Sequence, residues 1–254
     1  MSSGDGRIIG YSIAGLCYGT YLFFSGFSKF REKLLIENTP TSKIRSIAMG
    51  RVEVFGKVIA DRNNVAEGPF SGDTCVHCWW TVEELRSSGK SSKWVVISQG
   101  YIGGPFFIKD NTGTVLVDPD GARMDIPMDH EYMLSKKGPT GRIIEFLTGR
   151  GISYKGLIFN KELRLREYYL APGDKVFVMG VAGKNPFADP DRASLNEEGV
   201  MIQKGKHKEF YYIADKDEKE VLKKMGWQVI IGFFGGAALM IVCLFIIFAY
   251  FRIL

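Results

Sequence analysis

Hydrophobic and polar residues alternate through the middle of the chain but separate into long uncharged stretches at its two ends. Residues 8–28 and residues 225–251 contain no Asp, Glu, Lys or Arg. A helix needs about 20 apolar residues to cross the hydrocarbon core of a bilayer, and both stretches reach that length. We therefore predict two transmembrane helices, at residues 8–28 and 225–251, of which the second is the more uniformly apolar.

A cleaved signal peptide is the alternative for the first stretch. Such a peptide has a basic leading region and small residues at its cleavage site, whereas Asp5 precedes a lone Arg7 and Phe23-Phe24 occupy the far end. We favour a retained helix. Lys and Arg gather on the inner flanks of both helices, which predicts a cytoplasmic central domain with both termini across the membrane. An organelle membrane stays open as the location.

The residues between the helices carry the signals of short β-strands. Val52, Val54 and Val58 alternate with polar residues around Gly56, a period of two that is typical of strands. The segment DNTG at residues 110–113 separates two apolar runs, as a tight hairpin turn does. We predict an α+β membrane protein in which two transmembrane helices flank a mainly-β domain, a small barrel or sandwich. Its parts are a connector (29–45), the β-rich domain (46–214) and a charged juxtamembrane helix (215–224).

Composition and charge limit the classes of partner that we expect. The net charge is +5, and no basic stripe interleaved with aromatic residues argues for nucleic acid. The lipid bilayer is the first partner we expect. Of the four cysteines, Cys17 and Cys243 lie in the predicted spans, which leaves Cys75 and Cys78 in the domain.

The polar residues of the domain offer little catalytic chemistry. In a continuous strand Cys75 and Cys78 would lie about 10 Å apart on opposite faces, so we expect neither a disulfide nor a shared metal ion. Asp118 and Asp120 flank a proline and could hold a cation weakly, but turn capping is the favoured interpretation. We find no nucleophile–base pair, no set of metal ligands and no phosphate-binding loop, and we predict no cofactor.

Small residues are spaced four apart in both predicted helices. Gly15 and Gly19 lie in the first helix, and Gly232 and Gly236 lie in the second. This spacing lets helix backbones approach closely in a membrane. The glycines therefore predict either packing of the two helices on each other or homo-oligomers formed through them.

Four segments carry a family resemblance. They are GPFSGDTCV (68–76) followed by VEE (82–84), PFFIKDNTGTVLVDPDGA (105–122), EYYLAPGDKVFVMG (167–180) and FYYIADKDEKE (210–220). In this order, and between two apolar helices, they resemble the GIDE domain of MULAN-type mitochondrial E3 ubiquitin ligases. The resemblance spans roughly residues 50–224. It implies a membrane-anchored domain between two helices.

The ligases of that family carry a RING after the second helix, where Cys and His zinc ligands recruit the ubiquitin-loaded enzyme. The sequence ends at Leu254 and has too few cysteines for a RING, so we expect the membrane module without the ligase activity. The leading hypothesis is a protein-interaction or scaffold module, such as a subunit of a membrane assembly. The alternatives are an E3 ubiquitin ligase-like role and small-ligand binding in the β-domain. Candidate partner-binding residues, which could equally be ion pairs or turn caps, are Arg62, Glu83, Asp110 and Glu167.

Overall fold

The structure is a computed structural model that describes residues 3–60, 65–89, 91–134, 141–154, 161–188, 199–206, 209–216 and 218–251. The chain divides into two compact units. One unit combines both chain ends, residues 1–40 and 218–254, and the other contains residues 41–217. The second unit extends a few residues beyond the predicted β-rich domain at each end.

The unit built from the chain ends is helical. Helix α1 spans Ser3–Glu37, and the returning chain forms α3 (Glu218–Ile230), a π-helical turn (Ile231–Gly235) and α4 (Gly236–Tyr250) without a break. Within the described residues, two stretches are long and apolar enough to cross a membrane, Gly6–Glu37 with 32 residues and Glu218–Tyr250 with 33. At about 1.5 Å per residue, each exceeds a hydrocarbon core of about 30 Å.

Helix α1 runs further than the sequence predicted. The segment from residue 29 was expected to be a connector, yet the helix continues to Glu37. Two ion pairs on successive turns support the extension, Lys29–Glu32 at 2.8 Å and Lys33–Glu37 at 2.9 Å. Pairs with this spacing stabilise a helix by a few tenths of a kcal/mol each.

The central unit is mainly β-structure, and its strand bounds follow the alternation and turn signals of the sequence. The strands are β1 (Gly50–Ile59), β2 (Ala66–Glu67), β3 (Thr74–Cys75), β4 (His77–Ser88), β5 (Ser91–Gly103), β6 (Phe106–Lys109), β7 (Thr114–Val117), β8 (Arg123–Asp125), β9 (His130–Leu134), β10 (Leu163–Leu170), β11 (Lys175–Lys184), β12 (Val200–Gln203) and β13 (Tyr212–Ala214). One helix, α2 (Gly141–Gly149), lies between β9 and β10.

Five strands close into a barrel. The hydrogen-bonded order β1-β6-β7-β12-β11 returns to β1 through the antiparallel β1–β11 pairing. The β7–β12 pair is parallel and the other four are antiparallel. This is the strand order of an OB-type Greek-key barrel. The barrel interior is filled by alternate residues of these strands, among them Val52, Val54, Phe106, Ile108, Val176, Val178 and Ile202.

A second, four-stranded antiparallel sheet in the order β5-β4-β10-β9 is inserted between the barrel strands. One of its faces packs on α2, whose Ile143 and Leu147 are buried one helical turn apart. This face and the helix form a separate core of Phe70, Trp80, Val82, Leu134, Ile143, Leu147, Leu163 and Leu165. The predicted class, a mainly-β domain flanked by two apolar helices, is confirmed, and its barrel form is established.

Candidate functional site

The opposite face of the four-stranded sheet carries a row of aromatic side chains. Trp79 on β4 is paired in register with Tyr101 on β5 and with Tyr168 on β10, and paired residues of antiparallel strands share a face. The Trp79 and Tyr168 rings lie 4.8 Å apart between centroids. Tyr101 is 66% exposed and Trp79 is 38% exposed. We call Tyr101, Trp79 and Tyr168 the aromatic row.

A cleft of about 380 Å³ begins at this row. One wall consists of His77, Trp79 and Tyr101, and residues 103–104 line it at the end of β5. The opposite wall consists of residues 118–122 and Met124. The volume is within the range of small-molecule and side-chain binding sites.

The turn that forms the opposite wall is held in place by several hydrogen bonds. The N–H of Asp118 donates to the Ile202 carbonyl at 2.9 Å, and the Tyr211 hydroxyl donates to the Asp118 carbonyl. The Asp118 carboxylate accepts the N–H of Asp120 at 3.1 Å, as the predicted turn cap does. Gly121 has a φ of 71°, which the turn requires. Both aspartates therefore lie on a rigid wall of the cleft.

His77 is the buried polar group of the cleft. It is 6% exposed, and its Nδ1 atom has no hydrogen-bond partner among the described residues. Its ring stacks on that of Tyr101, with centroids 5.9 Å apart and an interplanar angle of 25°. Burial lowers the pKa of His77 from 6.5 to about 4, because desolvation disfavours the charged imidazolium. At neutral pH the His77 imidazole is therefore neutral, and its unpartnered Nδ1 is enclosed by the protein.

The expected separation of Cys75 and Cys78 was wrong. The strand is interrupted at Val76, where the chain bends between β3 and β4, so the two residues do not follow the alternation of one strand. Both residues are fully buried and free, and the Cys78 thiol donates to the Trp79 carbonyl at 3.8 Å. Interaction with the neighbouring Cys75 thiol, together with burial, raises the pKa of the Cys78 thiol, which keeps it protonated and unreactive.

Glu83 lies on the same sheet face as the aromatic row but at the far end of the sheet. Its carboxylate accepts hydrogen bonds from Arg164, with Nε at 2.7 Å, and lies 3.5 Å from Arg166. The Arg164 guanidinium in turn stacks over Trp94 at 4.5 Å from the ring centroid. Glu83 is only 7% exposed, and these contacts give it a structural role. Its predicted partner role stays a prediction.

Asp110 organises the turn between β6 and β7. Its Oδ1 accepts the N–H groups of Thr112 at 2.6 Å and Gly113 at 2.9 Å, and its Oδ2 accepts the N–H of Ile44 at 3.1 Å. Partial burial raises its pKa, but the hydrogen bonds outweigh this effect, and the net shift is downward. Asp110 thus fastens Ile44 to the barrel.

Glu167 is fully buried beneath the loop of residues 68–72. Its Oε1 accepts the N–H of Phe70, and both carboxylate oxygens lie 3.2 Å from the N–H of Ser71. A side chain at Gly68 would meet this carboxylate, with a Cβ only 3.1 Å from Oε1. These contacts join the GPFSG segment (68–72) to Glu167 of the EYY segment. Arg62, the fourth candidate, lies outside the described residues.

The four predicted packing glycines lie where the two apolar helices contact each other. A Cβ at Gly19 would lie 3.0 Å from the Gly236 carbonyl oxygen, and one at Gly15 would lie 2.6 Å from the Cys243 sulfur. A Cβ at Gly232 would lie 2.7 Å from the Cα of Gly26, a fifth glycine of this contact. The glycines thus face each other within one chain, which favours helix pairing over homo-oligomers.

The cleft was not predicted from the sequence, because the outward-facing positions of β4 were not separated from the inward-facing ones. The alternation contained the signal: Cys78, Trp80 and Val82 form one apolar face, which places His77 and Trp79 on the other. The partner wall comes from a distant turn, and only the tertiary structure brings the two together.

Comparison with known proteins finds a protein family that the chain matches. The family model GIDE, described as E3 ubiquitin ligase, matches residues 81–248. The match covers the four-stranded sheet, most of the barrel and the second apolar helix. No curated protein and no solved structure matches the chain.

Proposed function

The chain belongs to the GIDE family, and on that premise we propose that it is a membrane-anchored protein-interaction module. The observation that carries the proposal is the cleft, where the exposed aromatic side chains Trp79 and Tyr101 lie beside the acidic turn of residues 118–120. The described residues contain no group of three or more His, Cys, Asp or Glu side chains placed to hold a metal ion.

Membrane anchoring is the first part of the proposal. Both ends of the β-domain continue into helices that are long and apolar enough to span a bilayer. Between them, glycines allow backbone contact, and Phe233 packs against Phe27 with ring centroids 4.6 Å apart. Helices in lipid associate through such close packing. The Lys-rich inner flanks favour a β-domain on the cytoplasmic side.

Partner binding through the cleft is the second part. Exposed Trp and Tyr side chains are enriched at the centres of protein interfaces because they bury large areas at low entropic cost. The aromatic row supplies such side chains on a rigid sheet, and the cleft supplies a pocket beside them. The barrel topology alone does not indicate a function, since one fold hosts many.

The test is recovery of proteins that co-purify with the full-length chain from gently solubilised membranes. We expect Trp79→Ala and Tyr101→Ala to reduce recovery of the same proteins by about tenfold or more, as loss of an interface hot spot does. Phe187→Ala is the matched control, because Phe187 is a 72% exposed aromatic residue that does not line the cleft. Equal recovery by all three variants would refute the proposed binding surface.

Ubiquitin transfer is the second candidate, and the description of the family favours it. The assay is discharge of ubiquitin from a loaded conjugating enzyme in the presence of the purified full-length chain. Discharge faster than that of the loaded conjugating enzyme alone would establish this function. A rate equal to that of the conjugating enzyme alone would leave the interaction module as the role of the domain.

A further inference from the structure

A stripe of hydroxyl-bearing side chains runs along the outward face of helix α1. Positions that are alternately four and three residues apart share one face of a helix. The residues with this spacing in the predicted span are Ala14, Tyr18, Tyr21, Ser25 and Ser28. We call these five residues the hydroxyl stripe. It lies roughly a third of a turn around the helix from Gly15 and Gly19, whose face is occupied by α4.

The hydroxyl stripe faces away from the rest of the chain. Tyr18 and Tyr21 are 58% and 68% exposed, and their rings stack with centroids 6.4 Å apart. In the described part of the chain, the hydroxyls of the stripe have no hydrogen-bond partner. The hydroxyls of Ser12 and Thr20, elsewhere on α1, each donate at 2.9 Å to the carbonyl four residues earlier. The stripe therefore collects the hydroxyls that α1 itself does not satisfy.

The hydrocarbon core of a bilayer is an unfavourable place for such groups. Tyr18 lies at the midpoint of the uncharged residues 8–28, about 15 Å from either end at 1.5 Å per residue. This is farther than a tyrosine side chain extends, so its hydroxyl does not reach water, and an unpartnered hydroxyl in an apolar medium is costly. By contrast, exposed side chains of α4 such as Ile241 and Phe245 are hydrocarbon. The outward face of α4 suits lipid, whereas the hydroxyl stripe suits another helix.

We propose that the hydroxyl stripe packs against the same stripe of a second copy of this chain, as a parallel pair of α1 helices in the membrane. The inference rests on the membrane anchoring in the proposed function. Copies of one chain insert in the same orientation, so identical residues of two α1 helices lie at the same depth. Because a hydroxyl both donates and accepts, Tyr18 and Tyr21 can bond to their counterparts across a two-fold axis.

The spacing and sizes of the residues favour a second copy over a helix of another protein. Alternation of three and four residues is the pattern of a parallel helix pair, in which each position meets its own equivalent. Ala14, Ser25 and Ser28 are small, which lets the two backbones approach. A different protein would need hydroxyls at the same depths and spacing, whereas a second copy supplies them by symmetry.

Cysteine crosslinking in native membranes locates the contact. Cys17 is exposed and is replaced by serine, and the other three cysteines are buried. One cysteine is then introduced on the stripe, by Ala14→Cys or Ser25→Cys, or beside it, by Ile13→Cys or Phe24→Cys. The controls match the depth of the stripe positions to one residue, and Ile13 and Phe24 are 50% and 66% exposed. After oxidation we expect a species of twice the mass of the chain from both stripe positions, and its loss in both controls.

The strength of association tests the role of the hydroxyls. Donor- and acceptor-labelled full-length chains are mixed in phosphatidylcholine vesicles, and energy transfer over a range of protein-to-lipid ratios gives the dissociation constant. Tyr18→Phe keeps the ring and removes the hydroxyl, and it should weaken association about three- to tenfold, as loss of a hydrogen bond between membrane helices does. Tyr250→Phe is the matched control, because it removes the same group from α4, and it should leave the dissociation constant unchanged.

Four results would each overturn the assignment. They are equal crosslinking from stripe and control positions, no crosslinking from the stripe, a crosslinked species of any mass other than twice that of the chain, and equal association of Tyr18→Phe and Tyr250→Phe. Washing the same membranes with alkaline carbonate separates this inference from the proposed function. A chain that stays in the washed membranes but does not crosslink leaves the anchoring intact and overturns only the pairing of α1. Release of the chain by carbonate overturns both.

Discussion

Replacing Gly236 by valine tests the contact between the two apolar helices. A Cβ at this position would lie 2.7 Å from the backbone nitrogen of Phe23 and 2.8 Å from the carbonyl oxygen of Gly19. Both are backbone atoms, which cannot move without the helix that carries them. The helices must therefore separate locally by roughly 1 Å to restore normal contact distances, and such a gap removes a quarter to a half of each dispersion contact.

The expected cost follows from overpacking in a close-packed interface, about 1–3 kcal/mol. Gly235→Val is the matched control, because it adds the same side chain to the same helical segment. A Cβ at Gly235 meets only a side-chain methyl group, Ile231 Cγ2, at 3.9 Å. We expect the control to change the free energy of unfolding by less than about 0.5 kcal/mol.

The assay follows the separation of the helices during SDS titration in mixed micelles. Fluorescent labels are attached through unnatural amino acids at Tyr11 and Phe245, which are 76% and 62% exposed. Energy transfer between them reports helix pairing, and its midpoint gives the free energy. We expect Gly236→Val to lower the midpoint and Gly235→Val to match the unsubstituted chain. Equal midpoints for the two variants would refute the close backbone contact.

Three further predictions concern the β-domain, each measured by chemical or thermal unfolding of the full-length chain. Because the pKa of His77 is about 4 in the native state and 6.5 in the unfolded state, only the unfolded state takes up a proton as the pH falls from 6.5 towards 4. Stability should therefore drop by about 1.6 kcal/mol between pH 6.5 and 5 in the unsubstituted chain, and an identical slope in His77→Phe would contradict this. Glu167→Ala leaves two backbone N–H groups without their acceptor and should lower the free energy of unfolding by about 2–4 kcal/mol. Glu167→Gln keeps one oxygen and should lower it clearly less. Similar losses for the two variants would argue against the hydrogen bonds. Gly103→Ala should lower the free energy of unfolding by more than about 1 kcal/mol, because φ is 100° and the added Cβ would overlap a backbone oxygen. Gly104→Ala is the control, because its Cβ would meet open space and should change the stability little. A neutral Gly103→Ala would contradict the turn conformation described above.

The strands that sequence reasoning predicted share local signals. The DNTG turn and the apolar residues on either side of it predicted β6 and β7, and the alternation at Val52, Val54 and Val58 predicted β1. The closure of the barrel could not be predicted in the same way. It depends on pairing β1 with β11, which are far apart in the chain, and local periodicity does not encode such a partner.

The site was less predictable than the fold for a related reason. Glu167 was singled out from its motif as a charged residue, but its function in the structure is to accept hydrogen bonds inside the protein. His77 and Trp79 lie beside a bend at Val76 that the sequence pattern does not reveal. Asp118 and Asp120 belong to a turn that was predicted correctly. That this turn lies beside His77 and Trp79 follows only from the tertiary structure.

Photo-crosslinking in native membranes tests most directly whether the cleft is an interaction surface. A benzophenone amino acid replaces Tyr101 in one full-length variant and Phe187 in another, and the membranes are irradiated before solubilisation. The account predicts a discrete crosslinked species that pellets with the membrane fraction and forms only from position 101. The same species from both positions, or none from position 101, would contradict it.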